Sequence, residues 1–218
     1  MSEPGRILVL TSCTSLKVAG SDPMPAERMY LGEQHRRLMR GVDRFRRTIG
    51  DPQIDLRIVS AGHGLIRGHS PTTPYDESFS GLGRHAIAAR AESLGIPEAV
   101  ADALEHPYVL ALLLLGDDYM NAAAIDGKSA MGGPTIAFGG TGLAARLGSH
   151  PNVSVVPARK AEASRFHCGL VGLKGELAGR LLGLLAESQE LVSTIALWPG
   201  TATLDVLDEC PAGLAVAA

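Results

Sequence analysis

The sequence has few cysteines, no long hydrophobic run and no strong excess of charge, and each absence excludes a class of protein. Its three cysteines, Cys13, Cys168 and Cys210, are far apart and form no C-x-x-C pair, so they predict neither a disulfide framework nor a zinc site. The longest apolar run, residues 108–115, is far shorter than the roughly 20 residues of a membrane-spanning helix. The first residues also lack a secretion signal. We therefore expect a cytoplasmic protein with no membrane partner.

Several common catalytic motifs are also missing. The chain contains no G-x-S-x-G elbow, no H-E-x-x-H pair, no G-x-G-x-x-G fingerprint and no P-loop. These absences exclude several hydrolase and nucleotide-binding classes, and they predict neither a metal nor a cofactor. With a net charge of -3 and a pI near 6.2, the chain as a whole does not attract nucleic acid.

The positive charge is nevertheless concentrated in one segment. Seven arginines lie between residues 28 and 47. One explanation is a solvated helix face that also complements the helix dipole. The alternative is a phosphate-binding face. The candidate nucleic-acid-binding residues of this segment are Arg28, Arg36, Arg37 and Arg40.

Apolar patterns predict alternating strands and helices along the chain. The predicted strands cover residues 6–12, 55–60, 108–115, 135–138 and 153–157. The predicted helices cover residues 26–49, 83–94, 97–106 and 173–187, and a further helix, capped by Asp117 or Asp118, runs toward residue 125. From residue 194 onward, the tail is predicted to add an edge strand. Such alternation predicts a single α/β domain over residues 1–218, with three α/β/α layers and a mostly parallel sheet.

Polar residues that follow the first two predicted strands are the main candidates for a site, because ligands of such sheets bind at the carboxyl ends of the strands. Cys13 and Lys17 follow the first strand. A cysteine at the end of a strand most often packs as a small buried apolar side chain. Lys17 is therefore the better candidate for ligand contact. Ser60 ends the second strand, and His63 follows it between two glycines. His63 either contacts a ligand or hydrogen-bonds its own loop.

Two later segments offer further candidates. Tyr75 and Asp76 follow a proline, and Asp76 either acts as an acid, base or charge stabiliser or caps the next helix. Gly140 and Thr141 follow a later strand. Their backbone either contacts an anion or a base edge or forms a tight turn.

Four blocks in the first 80 residues resemble a family of uncharacterised bacterial and phage proteins. In order, they are Leu8-Val9-Leu10 with Cys13-x-x-x-Lys17, then Ala26-x-x-Met29-Tyr30, then Ser60-Ala61-x-His63-Gly64-Leu65, and Pro74-Tyr75-Asp76. The same stretch distantly resembles the domain of archaeosine synthase that is similar to the uracil-DNA-glycosylase fold, including a pair comparable to His35-Arg36. The resemblance implies a uracil-DNA-glycosylase-like fold and a pocket for a nucleobase, such as a modified one.

The resemblance also implies roles for individual residues. Lys17 and Tyr30 would line the pocket, His63 would contact the leaving base, and Asp76 would orient water or stabilise positive charge on the sugar. The wider set of expected substrate-binding residues comprises Cys13, Tyr30, Ser60, Tyr75, Gly140 and Thr141.

These expectations lead to three hypotheses about function. The first is a hydrolase that cleaves an N-glycosidic bond, either as a DNA glycosylase or on a nucleotide. The second is a base-modifying transferase, in which Cys13 or Lys17 forms a covalent intermediate. The third is a non-catalytic DNA-binding protein of stress or defence that uses the arginine segment. The pI near 6.2 makes a free nucleotide or nucleoside as sensible a substrate as DNA.

Overall fold

A buried six-stranded sheet lies at the centre of the computed structural model, which describes residues 5–50 and 53–209. The strands are β1 (Ile7–Ser12), β2 (Met24–Pro25), β3 (Ile54–Ser60), β4 (Gly64–Arg67), β5 (Pro71–Thr72), β6 (Leu110–Leu113), β7 (Thr135–Gly139) and β8 (Val153–Pro157). The helices are α1 (Ala26–Met29), α2 (Glu33–Ile49), α3 (Arg84–Ser93), α4 (Ile96–Glu105), α5 (Asp117–Ala122), α6 (Thr141–Leu147), α7 (Lys160–Arg165), α8 (Leu170–Glu187) and α9 (Gly200–Glu209).

The order of strands in the main sheet is β4-β3-β1-β6-β7-β8. All neighbours are parallel except β4, which forms an antiparallel hairpin with β3. The central strands β1 and β6 are almost wholly apolar and buried, as expected of strands covered on both faces. The chain moves from β1 to β3 on one side and later to β6 on the other. The strand order therefore reverses beside β1, where sheets of this type bind ligands.

Helices cover both faces of the sheet, which confirms the predicted three-layer α/β/α fold. Right-handed crossovers place α2 on one face and α3 to α6 on the other. On the first face α2 packs against α8, and on the second α3 packs against α5. Glycines allow the α2–α8 contact to be unusually close, since a Cβ at Gly41 would lie 2.4 Å from the Cα of Gly179.

The predicted helix over residues 26–49 is in fact two helices, because the chain becomes extended at Tyr30. The backbone of Tyr30 has φ -86° and ψ 126°, and it forms a single antiparallel bridge with Lys17. The next residues are equally constrained, since a Cβ at Gly32 would lie 2.6 Å from the side chain of Thr14. The break therefore brings Tyr30 to the loop that follows β1.

The prediction of an edge strand after residue 194 is wrong as far as residue 209, and the rest of the predicted tail lies outside the described residues. That stretch contains the second of two 3-10 helices (Gln189–Ser193 and Ile195–Leu197) and then α9. The hydroxyl of Ser154 in β8 donates a hydrogen bond to the Trp198 carbonyl at 2.9 Å. A Cβ at Gly200 would lie 2.0 Å from the Val155 carbonyl oxygen. Up to residue 209, the tail therefore packs against β8 without pairing as a strand.

Other features differ from the sequence-based expectations in smaller ways. Part of the long loop that precedes α3 forms β4 and β5, and the short helix α7 was not predicted. The N-cap of α5 is Gly116, whereas Asp117 and Asp118 lie in its first turn, where their charge complements the helix dipole. Within residues 5–50 and 53–209, no helix combines the length and the apolar character needed to cross a membrane. Cys210 lies outside the described residues.

Candidate functional site

A cluster of hydroxyl groups and one thiol lies at the carboxyl ends of β1 and β3. Tyr75 is its centre, because its hydroxyl accepts a hydrogen bond from Ser60 Oγ at 2.7 Å and shares another with the Tyr30 hydroxyl at 3.0 Å. Cys13 shares a hydrogen bond with the Tyr119 hydroxyl, with 3.0 Å between Sγ and Oη. Five separated chain segments therefore meet at one edge of the sheet.

The local backbone explains why Tyr75 lies in this position. Ser60 Oγ accepts hydrogen bonds from the N–H groups of Gly62 and His63, which folds the chain tightly after β3. The ring of Tyr75 packs directly on Gly62, where a Cβ would lie 2.6 Å from the ring. Only glycine leaves enough space there for the ring.

Lys17 and His63 both contact the ring of Tyr75. The Lys17 ammonium lies over the ring, 4.2 Å from its centroid, in a cation–π contact. The His63 ring meets it edge to face, with centroids 4.8 Å apart. His63 Nε2 lies 3.0 Å from the Thr73 carbonyl oxygen. Because a carbonyl only accepts, the proton resides on Nε2, and Nδ1 is an acceptor in the neutral ring.

Burial keeps the tyrosine hydroxyls of the cluster protonated. Burial raises the pKa of Tyr30 to about 12, against the lowering effect of its hydrogen bond with Tyr75. It also raises the pKa of Tyr75 and of Tyr119 well above the ordinary value, and the neighbouring Cys13 acts in the same direction. A protonated hydroxyl both donates and accepts hydrogen bonds, so the cluster can serve a polar ligand without carrying charge.

Asp76 follows Tyr75 and lies at the surface. Its side chain is exposed, and it makes no hydrogen bond or ion pair with the residues that the structure describes. It does not cap the next helix, because the N-cap of α3 is Gly83. Asp76 is therefore a solvent-facing carboxylate beside the tyrosine cluster.

Arg90 of α3 connects both ends of the loop that carries His63 and Asp76. Its Nε donates to the Ala61 carbonyl at 2.8 Å, and its terminal nitrogen lies 3.8 Å from Glu77 Oε1. This connecting residue was not predicted from the sequence. Tyr119 was also not predicted, although it directly follows Asp117 and Asp118, the candidate caps of the predicted helix.

Gly140 and Thr141 do not join the cluster. They follow β7, which is two strands away from β1, or about 10 Å at the usual spacing between strands. Gly140 is the N-cap of α6 and Thr141 its first residue. These residues share the carboxyl edge of the sheet with the cluster but not its contacts.

One side chain from α2 and one from α8 donate hydrogen bonds to the backbone just after β6. Gln34 Nε2 donates to the Leu114 carbonyl at 3.0 Å, and Lys174 Nζ donates to the carbonyl of Leu115. Burial lowers the pKa of Lys174, and Asp117 opposes this shift. Side chains of the protein therefore donate to these two backbone carbonyls, which lie beside β1, where the strand order reverses.

The arginines of the basic segment fall into two groups. Arg37 is bound by Glu33 at 2.6 Å and by Glu176 at 2.7 Å. In contrast, Arg28, Arg36 and Arg40 are exposed and form no hydrogen bond or ion pair within the described ranges. Sequence spacing alone did not distinguish these two groups.

In the part of the chain that the structure describes, no three His, Cys, Asp or Glu side chains are grouped so that they could hold a metal ion. Comparisons of the chain with protein-family models, with curated proteins and with solved structures found no match. Function must therefore be inferred from the site itself and from the sequence blocks that form it.

Proposed function

We propose that this protein binds a nucleobase and hydrolyses its N-glycosidic bond. The observation that carries the proposal is the meeting of Lys17, His63 and Tyr75, from three separate sequence blocks, beside the exposed carboxylate of Asp76. Cys13 and Lys17 after β1, together with the His35-Arg36 pair, are also the residues of the distant resemblance to a domain with a nucleobase pocket. The position of the cluster at the carboxyl ends of adjacent parallel strands is where α/β sheets bind ligands.

The chemistry of the cluster suits a planar, uncharged and polar ligand. Nucleobases present hydrogen-bond donors and acceptors on their edges and an aromatic face. The hydroxyls of Tyr30 and Tyr75 remain protonated, so they serve either kind of edge group.

The proposed reaction breaks the bond between C1′ of the sugar and a nitrogen of the base. The electron pair of that bond leaves with the base, which takes up one proton. A water molecule adds to C1′ and loses one proton, which gives a free base and a sugar hemiacetal. The transition state carries positive charge on the sugar, which a nearby carboxylate stabilises. Asp76 has this role in the proposal and also orients the water.

His63 has the role of proton donor to the departing base. Because Nε2 donates to the Thr73 carbonyl, the ring can donate through Nδ1 only when it is protonated.

The test is to incubate the purified protein with nucleosides, nucleotides, single-stranded DNA and duplex DNA that carry ordinary and modified bases. Free base is then measured by chromatography and mass spectrometry. We expect release from at least one substrate, at least 100-fold slower for Asp76→Asn and His63→Ala. Glu105→Gln, an exposed carboxyl change at the end of α4, is the matched control and should react like the wild type. Absence of release from every substrate, or full activity of both site variants, would refute the proposal.

A further inference from the structure

A cleft on the surface of α2 adjoins the tyrosine cluster through Tyr30. The cleft has a volume of about 440 Å³ and is lined by Glu27, Tyr30, Glu33, His35, Arg36, Met39, Arg40 and Asp43. Tyr30 belongs to both places, because it lines the cleft while its hydroxyl bonds with Tyr75. A ligand whose base lies against the tyrosine cluster could therefore extend into this cleft.

Ion pairs neutralise two of the three carboxylates that line the cleft. Glu27 is bound by Arg46 at 3.0 Å, and Glu33 is bound by Arg37 at 2.6 Å. In both pairs the arginine is mostly buried and is therefore poorly placed to leave its carboxylate for a ligand.

The remaining charges of the cleft are positive in balance. Arg36 and Arg40 are exposed, lie one turn apart on α2 and have no ion pair among residues 5–50 and 53–209. Asp43 is the only lining carboxylate without an ion pair in those ranges. Burial raises the pKa of Asp43, although Arg46 opposes this shift. His35 contributes no charge at neutral pH, because burial lowers its pKa.

A buried histidine gives the cleft a second polar feature. His35 is only 1% exposed, and its Nε2 lies 2.7 Å from the Glu27 carbonyl oxygen. Its Nδ1 is buried without a hydrogen-bond partner in the described part of the chain. The floor of the cleft is thus polar and neutral, while two arginines provide positive charge at its surface.

We infer that this cleft binds a phosphate group of the substrate and that Arg36 and Arg40 are the residues that hold it. Guanidinium groups bind phosphate oxygens with charge-assisted hydrogen bonds, often in pairs. The inference rests on the proposed function, because it assigns the base to the tyrosine cluster and the phosphate to the cleft. A phosphate site in the cleft means that the substrate is a nucleotide or a nucleic acid strand and not a bare nucleoside. Arg37 has no part in it, because two carboxylates already hold its guanidinium group.

The experiment measures binding and is independent of catalysis. The probes are a mixed-sequence single strand of ten nucleotides, its duplex, the corresponding mononucleotides and the corresponding nucleosides. Fluorescence anisotropy serves for the strands and calorimetry for the small ligands. We expect phosphate-bearing ligands to bind and nucleosides to bind much more weakly. Each of Arg36→Gln and Arg40→Gln should weaken binding by roughly tenfold.

Salt dependence gives a second measurement. For single strands, log K falls with log salt at a slope of about -0.7 for each phosphate contact. Because Arg36 and Arg40 hold the same phosphate, the slope of the double variant should be shallower by about 0.7. Asp43→Asn removes the unpaired carboxylate and should tighten binding several-fold, a gain that mere structural damage would not produce. Arg67→Gln, an exposed arginine on β4, is the matched control and should bind like the wild type.

The two proposals fail in different ways. Wild-type affinity of the Arg36→Gln/Arg40→Gln variant, or nucleosides that bind as tightly as nucleotides, would overturn the phosphate inference even if bases are released. Arginine-dependent binding without any base release would uphold the phosphate site and overturn the proposed reaction. Comparison of mononucleotide with single strand and duplex then identifies the source of the phosphate.

Discussion

The hydroxyl of Tyr75 offers the sharpest test of the site, because it is the shared partner of two buried groups. Ser60 is fully buried and Tyr30 is 2% exposed. In Tyr75→Phe the hydroxyl of Ser60 loses its acceptor, although it keeps the hydrogen bonds from Gly62 and His63, and the hydroxyl of Tyr30 loses its partner. Each buried donor or acceptor left unsatisfied costs about 1–3 kcal/mol. Ser60 also lies close enough to the Tyr30 hydroxyl to affect its pKa, and a new bond between them would recover part of the loss. We therefore expect destabilisation of about 2–4 kcal/mol.

Tyr30→Phe should cost less, because the Tyr75 hydroxyl keeps its hydrogen bond from Ser60. We expect about 1 kcal/mol for this single change. In the double variant Tyr30→Phe/Tyr75→Phe, the Tyr30 hydroxyl has been removed, so removal of the Tyr75 hydroxyl cannot leave it without a partner. The cost of the double variant should therefore be smaller than the sum of the two single costs by about 1–2 kcal/mol.

The assay is urea unfolding followed by the fluorescence of Trp198, the single tryptophan of the chain. An unchanged dependence of the unfolding free energy on urea concentration would show that the comparison is valid. If the two costs add to within about 0.3–0.5 kcal/mol, the hydroxyls of Tyr30 and Tyr75 do not share a hydrogen bond, and the described cluster is incorrect.

Two further predictions concern the fold. Gly41→Ala should destabilise the protein by at least about 1–3 kcal/mol, because the new Cβ would lie 2.4 Å from Gly179. Gly142→Ala in α6, with open space around it, is the control and should stabilise the protein by about 0.5–1 kcal/mol. Equal effects of the two changes in urea unfolding would contradict the close α2–α8 contact. Burial alone would raise the pKa of Asp55. Hydrogen bonds from Arg57 and Arg6 outweigh burial and hold the pKa below the ordinary value of 3.8. The stabilisation from this ionised carboxylate is therefore present above that value and lost as pH falls through the folded-state pKa. The difference in unfolding free energy between wild type and Asp55→Asn should shrink between pH 5 and pH 3, and a constant difference would refute the assignment.

The layered architecture was predictable because local patterns encode it. Continuous apolar runs in β1 and β6 require burial on both faces, and alternation with amphipathic helices leaves few topologies open. Polar residues at the ends of β1 and β3 could also be assigned to one edge of the sheet, because parallel strands end on the same side. The prediction failed at the tail after residue 194, where packing against β8 decides between a strand and a helix.

The composition of the site could be predicted only in part. The residue types of Lys17, His63 and Tyr75 indicated a site, and the distant resemblance to a uracil-DNA-glycosylase-like domain implied a nucleobase ligand. Their mutual contacts depend on Gly62 and on the break at Tyr30, where partners distant in sequence set the backbone.

The sequence by itself determined the three layers, the central position of the apolar strands and the edge at which polar residues collect, since each follows from periodicity and chain direction. Only the tertiary structure decided which of these polar residues meet and which arginines of α2 are neutralised. Arg37 is held by Glu176, which is 139 residues away, and Cys13 by Tyr119, which is 106 residues away. Pairings over such separations arise from how the helices and strands pack, and local patterns carry no information about them.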